Sequence, residues 1–161
     1  MTSSARFSED RHYRYWLLRQ WEPGKPRVAF IGLNPSTADE KDNDNTVRRC
    51  IGFSQRWGFG GLLMLNMYSF CATKPSDLWR KHRIGGDIVG GARGFRMSLE
   101  EYAKKYEATQ IIAAWGADKL ERWRMFKSAE WKLDCLKIND DGQPGHPLYL
   151  PYLAERQPWN Y

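Results

Sequence analysis

Three polar side chains stand at positions where their chemistry would matter. Asn34 lies between Gly32-Leu33 and Pro35, Asn66 ends the apolar run LLMLN, and His146 opens the segment HPLYL. An amide at position 34 can orient a water molecule by hydrogen bonding, but it has no useful basicity near neutral pH. The Gly and Pro around it also suit a plain turn out of a strand, because Gly permits close backbone approach and Pro fixes φ. Asn66 needs a partner, since an unpaired buried amide costs about 1–3 kcal/mol. It can present donor and acceptor together to a pyrimidine edge, or make a structural hydrogen bond to a neighbouring loop; its type and place fit both. His146 has the best context of the three histidines, the others being His12 and His82. It sits in a Gly/Pro-rich loop, where a ring N–H can stabilise charge developing on an oxygen.

These residues need elements to carry them. Residues 13–21 (YRYWLLRQW) read as a strand, Glu22-Pro-Gly-Lys as a turn, and Arg27–Gly32 as a short, fully buried strand; the two strands are expected to pair as an antiparallel hairpin. Asp44 or Asn45 caps a helix running to about Trp57, with Val47, Cys50, Ile51 and Ser54 at helical spacing. Leu62–Met67 is a second buried strand. Pro75-Ser-Asp starts a short helix, and the glycines between 85 and 94 imply a loop-rich crossover. Ser98 with Glu101 has the pattern of a capping box opening a helix over 98–107. Gln110–Trp115 reads as a third buried strand, Ala117–Lys127 as a helix, Leu133–Ile138 as a fourth strand, and the tail from Asp140 as irregular.

Strands alternating with helices point to a parallel sheet covered on both faces. Ligands bind such sheets beyond the carboxyl ends of the strands. Four segments should therefore meet on one rim: GLNPST after the first parallel strand, Asn66 at the end of the second, Trp115-Gly116 at the end of the third, and GQPGHPLYL after the fourth.

Bulk properties narrow the classes. A chain of 161 residues makes one domain, 1–161, with its core over about 13–152. A net charge of +6 suits a partner bearing phosphates, and eight Trp and eight Tyr exceed what packing a small domain requires. Cys50, Cys71 and Cys135 read as buried thiols in a reducing cytoplasm, neither a disulfide framework nor a metal site. No apolar stretch approaches the length of a membrane span, and the first ten residues do not resemble a signal peptide. There is no GxxxxGK[ST], GxSxG, HExxH or deaminase signature. No metal or redox cofactor is expected, and the chain is expected to be a monomer.

Taken in order, GLNPS (32–36), LLMLNMYSFCATKP (62–75), IIAAWGADKL (111–120) and HPLYL (146–150) resemble the motifs of the uracil-DNA glycosylase superfamily. Within it, NPSTAD, TVRR, AAWGA and GHPLYL resemble a bacterial and phage family of unknown function, DUF1643. The resemblance spans residues 27–152. It implies a three-layer α/β/α fold around a mostly parallel four-stranded sheet, with an N-terminal antiparallel strand. It also implies that Asn34 orients the attacking water beside the glycosidic carbon, His146 stabilises the departing base and Asn66 reads it. Fast members of that superfamily carry Asp at the position of Asn34, and mismatch-specific members carry Asn. Where the most uracil-selective members place Tyr, this chain has the small Ser36, which implies room for thymine or a pyrimidine enlarged at carbon 5.

Among Phe53, Trp57 and Tyr68, Phe53 is the first candidate to stack on the base, and Tyr68 joins it as a candidate base contact. Thr37, Arg48 and Arg49 are expected to meet nucleic acid, with Arg56, Arg80–Arg83, Arg93 and Arg96 as further candidates for a phosphate track. Leu148 replaces a phosphate-gripping Ser; with Tyr149 it can act as an apolar wedge that holds a base flipped out. The expected activity is hydrolysis of the N-glycosidic bond of a damaged or 5-modified pyrimidine in DNA. The alternatives are a non-catalytic binder of nucleobase or nucleic acid, and a hydrolase of free nucleotides.

Overall fold

The computed structural model describes residues 1–90, 95–128 and 132–160. Its centre is a mixed sheet of seven strands: β1 (Thr2–Phe7), β2 (Arg14–Gln20), β3 (Arg27–Gly32), β4 (Gly61–Asn66), β5 (Ala108–Ala113), β6 (Asp134–Cys135) and β7 (Gln157–Pro158). The spatial order is β1-β2-β4-β3-β5-β6-β7. β4, β3, β5 and β6 run parallel; β1, β2 and β7 are antiparallel to their neighbours.

The sheet differs from the expected four strands plus one. The expected hairpin of β2 with β3 does not form, because β4 lies between them and pairs with both. All six residues of β4 are buried, so its backbone N–H and C=O groups need a neighbour on each side. The polar first residues supply β1 by pairing with β2, and the tail supplies β7 beside β6.

Alternate residues of the central strands feed two apolar clusters. Val28, Phe30, Leu62, Met64 and Ile112 pack with Val47, Cys50 and Phe53 of helix α1 (Asn45–Arg56). Ala29, Ile31, Leu63, Leu65 and Ala113 pack with Leu78 of α2 (Pro75–Arg83) and with Leu99 and Ala103 of α3 (Phe95–Lys105). Asp44 caps α1 as expected: its carboxylate accepts from the Val47 N–H at 2.8 Å. α3 begins before Ser98, which therefore sits inside the helix and not at its cap.

The helix expected over 117–127 is replaced by a turn and a 3-10 helix, Arg122–Ser128. The buried Asp118 carboxylate accepts from the N–H groups of Leu120 and Trp123 and from the Tyr68 hydroxyl. These local bonds compete with helical ones, and the backbone turns through a positive φ of 52° at Glu121. β6 stops after Cys135 because the chain then folds back, with Gly145 donating to the Lys137 carbonyl and Asn139 to that of Gln143. The three cysteines are free thiols; Cys50 and Cys135 are buried, whereas Cys71 is only half-buried. Among the described residues no helix is long and apolar enough to cross a membrane.

Candidate functional site

A cleft of about 1000 Å³ lies beyond the carboxyl ends of β3, β4 and β5, large enough to hold a nucleotide. The four segments singled out from the sequence all reach it: Gly32–Asn34 after β3, Asn66 ending β4, Trp115–Ala117 after β5, and Gly145-His146 in the segment that follows β6. The first turn of α1 closes one side, and Ala72–Ser76 with Trp79 contribute another.

Asn66 is 5% exposed, and among the described residues its Nδ2 has no hydrogen-bond partner. It pairs with Gly32 across the parallel β3–β4 ladder, so its side chain lies over that glycine. A Cβ on Gly32 would stand 2.9 Å from Asn66 Oδ1. Gly32 is thus the space in which the amide lies, and the unpartnered amide is the group that a base edge could satisfy.

His146 is half-buried at the start of a short 3-10 turn, Pro147–Tyr149. Its Nδ1 accepts the Leu148 N–H at 3.2 Å, which puts the proton of the neutral ring on Nε2 as a donor. Burial holds the imidazole below the ordinary histidine value, with the Asp44 carboxylate pulling weakly the other way. The ring is seated on the turn after β5: Gly116, at φ 71°, would bring a Cβ to 3.2 Å from His146 Cβ.

Asn34 lines the cleft, but both hydrogens of its amide are committed. Nδ2 donates to the carbonyls of Pro35 and Ala72 at 2.8 Å each. The side chain ties the loop after β3 to the loop after β4 and leaves Oδ1, an acceptor, for anything in the cleft. A carboxylate here would face those two carbonyl oxygens with no hydrogens to give, a local reason for an amide.

Ser36, Thr37, Arg48, Leu148 and Tyr149 also line the cleft. Arg48 is exposed, and its guanidinium donates to Asn45 Oδ1. Tyr149 is 82% exposed beside the His146 ring, with centroids 5.5 Å apart, and Leu148 is exposed next to it.

Three expected contacts lie elsewhere. Phe53 is fully buried under α1 against Trp57 and Tyr152, because its spacing from Val47 and Cys50 turns it toward the sheet. Tyr68 is fully buried and donates to Asp118 Oδ1 at 2.7 Å, so it secures the 118–123 turn and does not face the cleft. Arg49 donates to the Pro147 and Leu150 carbonyls and lies over the Tyr152 ring, clasping the tail to α1. Arg56 does likewise with Glu155 and Ala154. Arg80–Arg83 form the last turn of α2, away from the cleft lining. Arg93 and the Arg96 side chain lie outside the described residues.

Other cleft residues escaped the sequence reading. Arg14 and Asp44 line it beside the expected Trp115, whose buried indole Nε1 has no partner among the described residues. The signal for Arg14 was a charged residue just before the apolar run Tyr15–Leu18. Arg14, Arg48, Lys119 and Lys137 face the cleft with Asp44 as the one carboxylate among its lining residues, so the field inside favours an anionic ligand.

The sequence model of the family described as "Protein of unknown function (DUF1643)" matches residues 14–148. No curated protein and no solved structure matches the chain significantly. The match takes in β2 through the His146 segment, and the chain belongs to that family.

Proposed function

We propose that this member of the DUF1643 family takes a pyrimidine base into the cleft and hydrolyses its N-glycosidic bond, as a base-excising DNA glycosylase arranged like the uracil-DNA glycosylase superfamily. The observation that carries this reading is Asn66. A buried amide with an unpartnered Nδ2, over a glycine that makes room for it, at the carboxyl end of a central strand, is a group fit to recognise a base edge. His146 supports it by offering an Nε2–H donor from a neutral ring, suited to an oxygen that gains negative charge as the base leaves.

In this mechanism the bond between C1′ and the base nitrogen breaks, its electron pair leaves with the base, and water adds to C1′ and loses a proton to solvent. Asn34 Oδ1 accepts a hydrogen bond from that water and so turns an oxygen lone pair toward C1′. It takes no proton. Catalysis therefore rests on positioning and leaving-group stabilisation, which suits a slow enzyme or a base that departs easily. Ser36, Thr37 and Arg48 then face the sugar and backbone, and Leu148 and Tyr149 are exposed where a wedge is needed.

One observation favours a second reading, a binder without turnover: the Asn34 amide hydrogens already serve the Pro35 and Ala72 carbonyls. The test is to incubate wild type and His146→Ala with single-stranded and duplex oligonucleotides carrying uracil, mismatched thymine or 5-substituted pyrimidines, and to reveal abasic sites by alkaline cleavage. Breaks made by wild type and reduced about 100-fold or more in His146→Ala are expected, the range over which such donors act. No breaks at enzyme excess, together with base-dependent affinity, would leave the binder.

A further inference from the structure

We infer that Arg14 forms an anion subsite in the wall of the cleft and takes the phosphate of the nucleotide whose base Asn66 reads. The identity of that anion rests on the nucleobase reading above; the subsite itself does not.

Arg14 opens β2, is 2% exposed, and lines the cleft. Among the described residues its guanidinium makes one hydrogen bond, from Nη1 to the Ala38 carbonyl at 2.8 Å, while Nε is buried without a partner. The nearest comparison is in the same strand. Arg19 is also fully buried, yet it donates to the carbonyls of Leu18, Asp39 and Asp42 and to Asn43 Oδ1. One β2 arginine is satisfied by the 38–44 loop; the other is left short of acceptors on the cleft side of that loop.

Among the described residues no carboxylate forms an ion pair with it. Asp44 is the acidic group facing Arg14 from the cleft lining, but its two oxygens are held by the Val47 N–H at 2.8 Å and the Ala38 N–H at 3.3 Å, and no ion pair joins it to Arg14. A buried cation with no carboxylate in direct contact is costly, and a ligand anion would offset that cost. A guanidinium presents a planar fork that matches the oxygens of a phosphate.

The location suits a nucleotide. The Arg14 backbone N–H donates to the carbonyl of Ser69, in the chain that leads directly away from Asn66. The wall that carries Arg14 is thus tied to the loop running from the base-reading residue, and that same loop is held from the other side by Asn34 through Ala72. Arg48, Lys119 and Lys137 are exposed around the cleft and add attraction without burial. A free mononucleotide and the phosphodiester beside an extruded nucleotide in single-stranded DNA both offer this phosphate; the chemistry at Arg14 is common to both.

Calorimetric titration separates the possibilities. The probes are 2′-deoxyuridine, its 5′-monophosphate, 2-deoxyribose 5-phosphate, and a short single-stranded oligonucleotide with one deoxyuridine, each against wild type, Arg14→Gln and Arg14→Lys. Wild type should bind a phosphate-bearing probe at least about tenfold more tightly than the nucleoside. Arg14→Gln should remove that advantage and leave nucleoside affinity intact, and Arg14→Lys should keep part of it, since charge remains without the fork. Advantage in the monophosphate marks a mononucleotide site; advantage confined to the oligonucleotide marks a phosphodiester. Wild type alone can overturn the inference, by showing no phosphate advantage from either source. An advantage that survives in either folded Arg14 variant at its wild-type size also overturns it. If the nucleoside fails to bind while 2-deoxyribose 5-phosphate binds through Arg14, the anion subsite stands and the nucleobase reading falls.

Discussion

The loop over residues 34–44 and the rim formed by Asn66, Trp115 and His146 bound the same cleft, yet they use polar groups in opposite ways. In the loop and the β2 strand beside it, Asn34 is tied to two carbonyls, Arg19 to three carbonyls and Asn43, Asp39 to the N–H groups of Lys41 and Asp42, and Asp44 to those of Ala38 and Val47. In the rim, Asn66 Nδ2 and Trp115 Nε1 have no partner, and His146 uses only Nδ1. Nearly all buried polar groups in proteins are satisfied, so unsatisfied ones lining a cleft are the groups a ligand there would meet. Satisfied groups hold the shape; unsatisfied ones are free to bind. Arg14, on β2 beside that loop, is the exception, which is why it points to a ligand.

The comparison breaks most readily at Arg19. Arg19→Ala strands four acceptors and empties a fully buried site, so a loss of about 3 kcal/mol or more is expected in urea unfolding, with the 34–44 loop losing amide-exchange protection first. An unchanged midpoint would mean that this loop is not held as described.

Asn66→Leu should do the reverse. It replaces an unpartnered buried amide with an apolar group of similar size, so stability should stay within about 1 kcal/mol of wild type or rise, while nucleoside affinity is lost. A large destabilisation would show that the amide is structural, and the rim would then resemble the loop.

The smallest effect is expected from proton linkage at His146. Burial lowers its proton affinity in the folded chain, so between the folded and unfolded pKa values the unfolded state binds more protons. The stability that the neutral ring contributes is complete above about pH 6.5 and declines as the pH falls below it. The difference in unfolding free energy between wild type and His146→Gln should therefore shift against wild type from about pH 8 to about pH 5. A flat difference would place His146 in an environment as open as water.

Much of this organisation was legible in advance. The apolar runs of β3 and β4 and the Asp44-capped α1 follow from local pattern, and the strand-end rule brought Asn34, Asn66, Trp115 and His146 to one rim. Helical spacing also carried the information that Phe53 belongs with Val47 and Cys50 in the core, against the expectation that it stacks on a ligand. The helix expected over 117–127 failed because Asp118 satisfies the N–H groups of Leu120 and Trp123, a choice dependent on a hydroxyl 50 residues away, at Tyr68.

By itself, then, the sequence determined the period of each element and the chemical types at the strand ends, because alternation, capping and turn residues act over a few positions. Only the tertiary structure decided the strand order β2-β4-β3, the satisfaction of Arg19 and the shortage at Arg14. Pairing and burial are settled between segments distant in the chain, and whether a polar atom finds a partner depends on which segment arrives beside it.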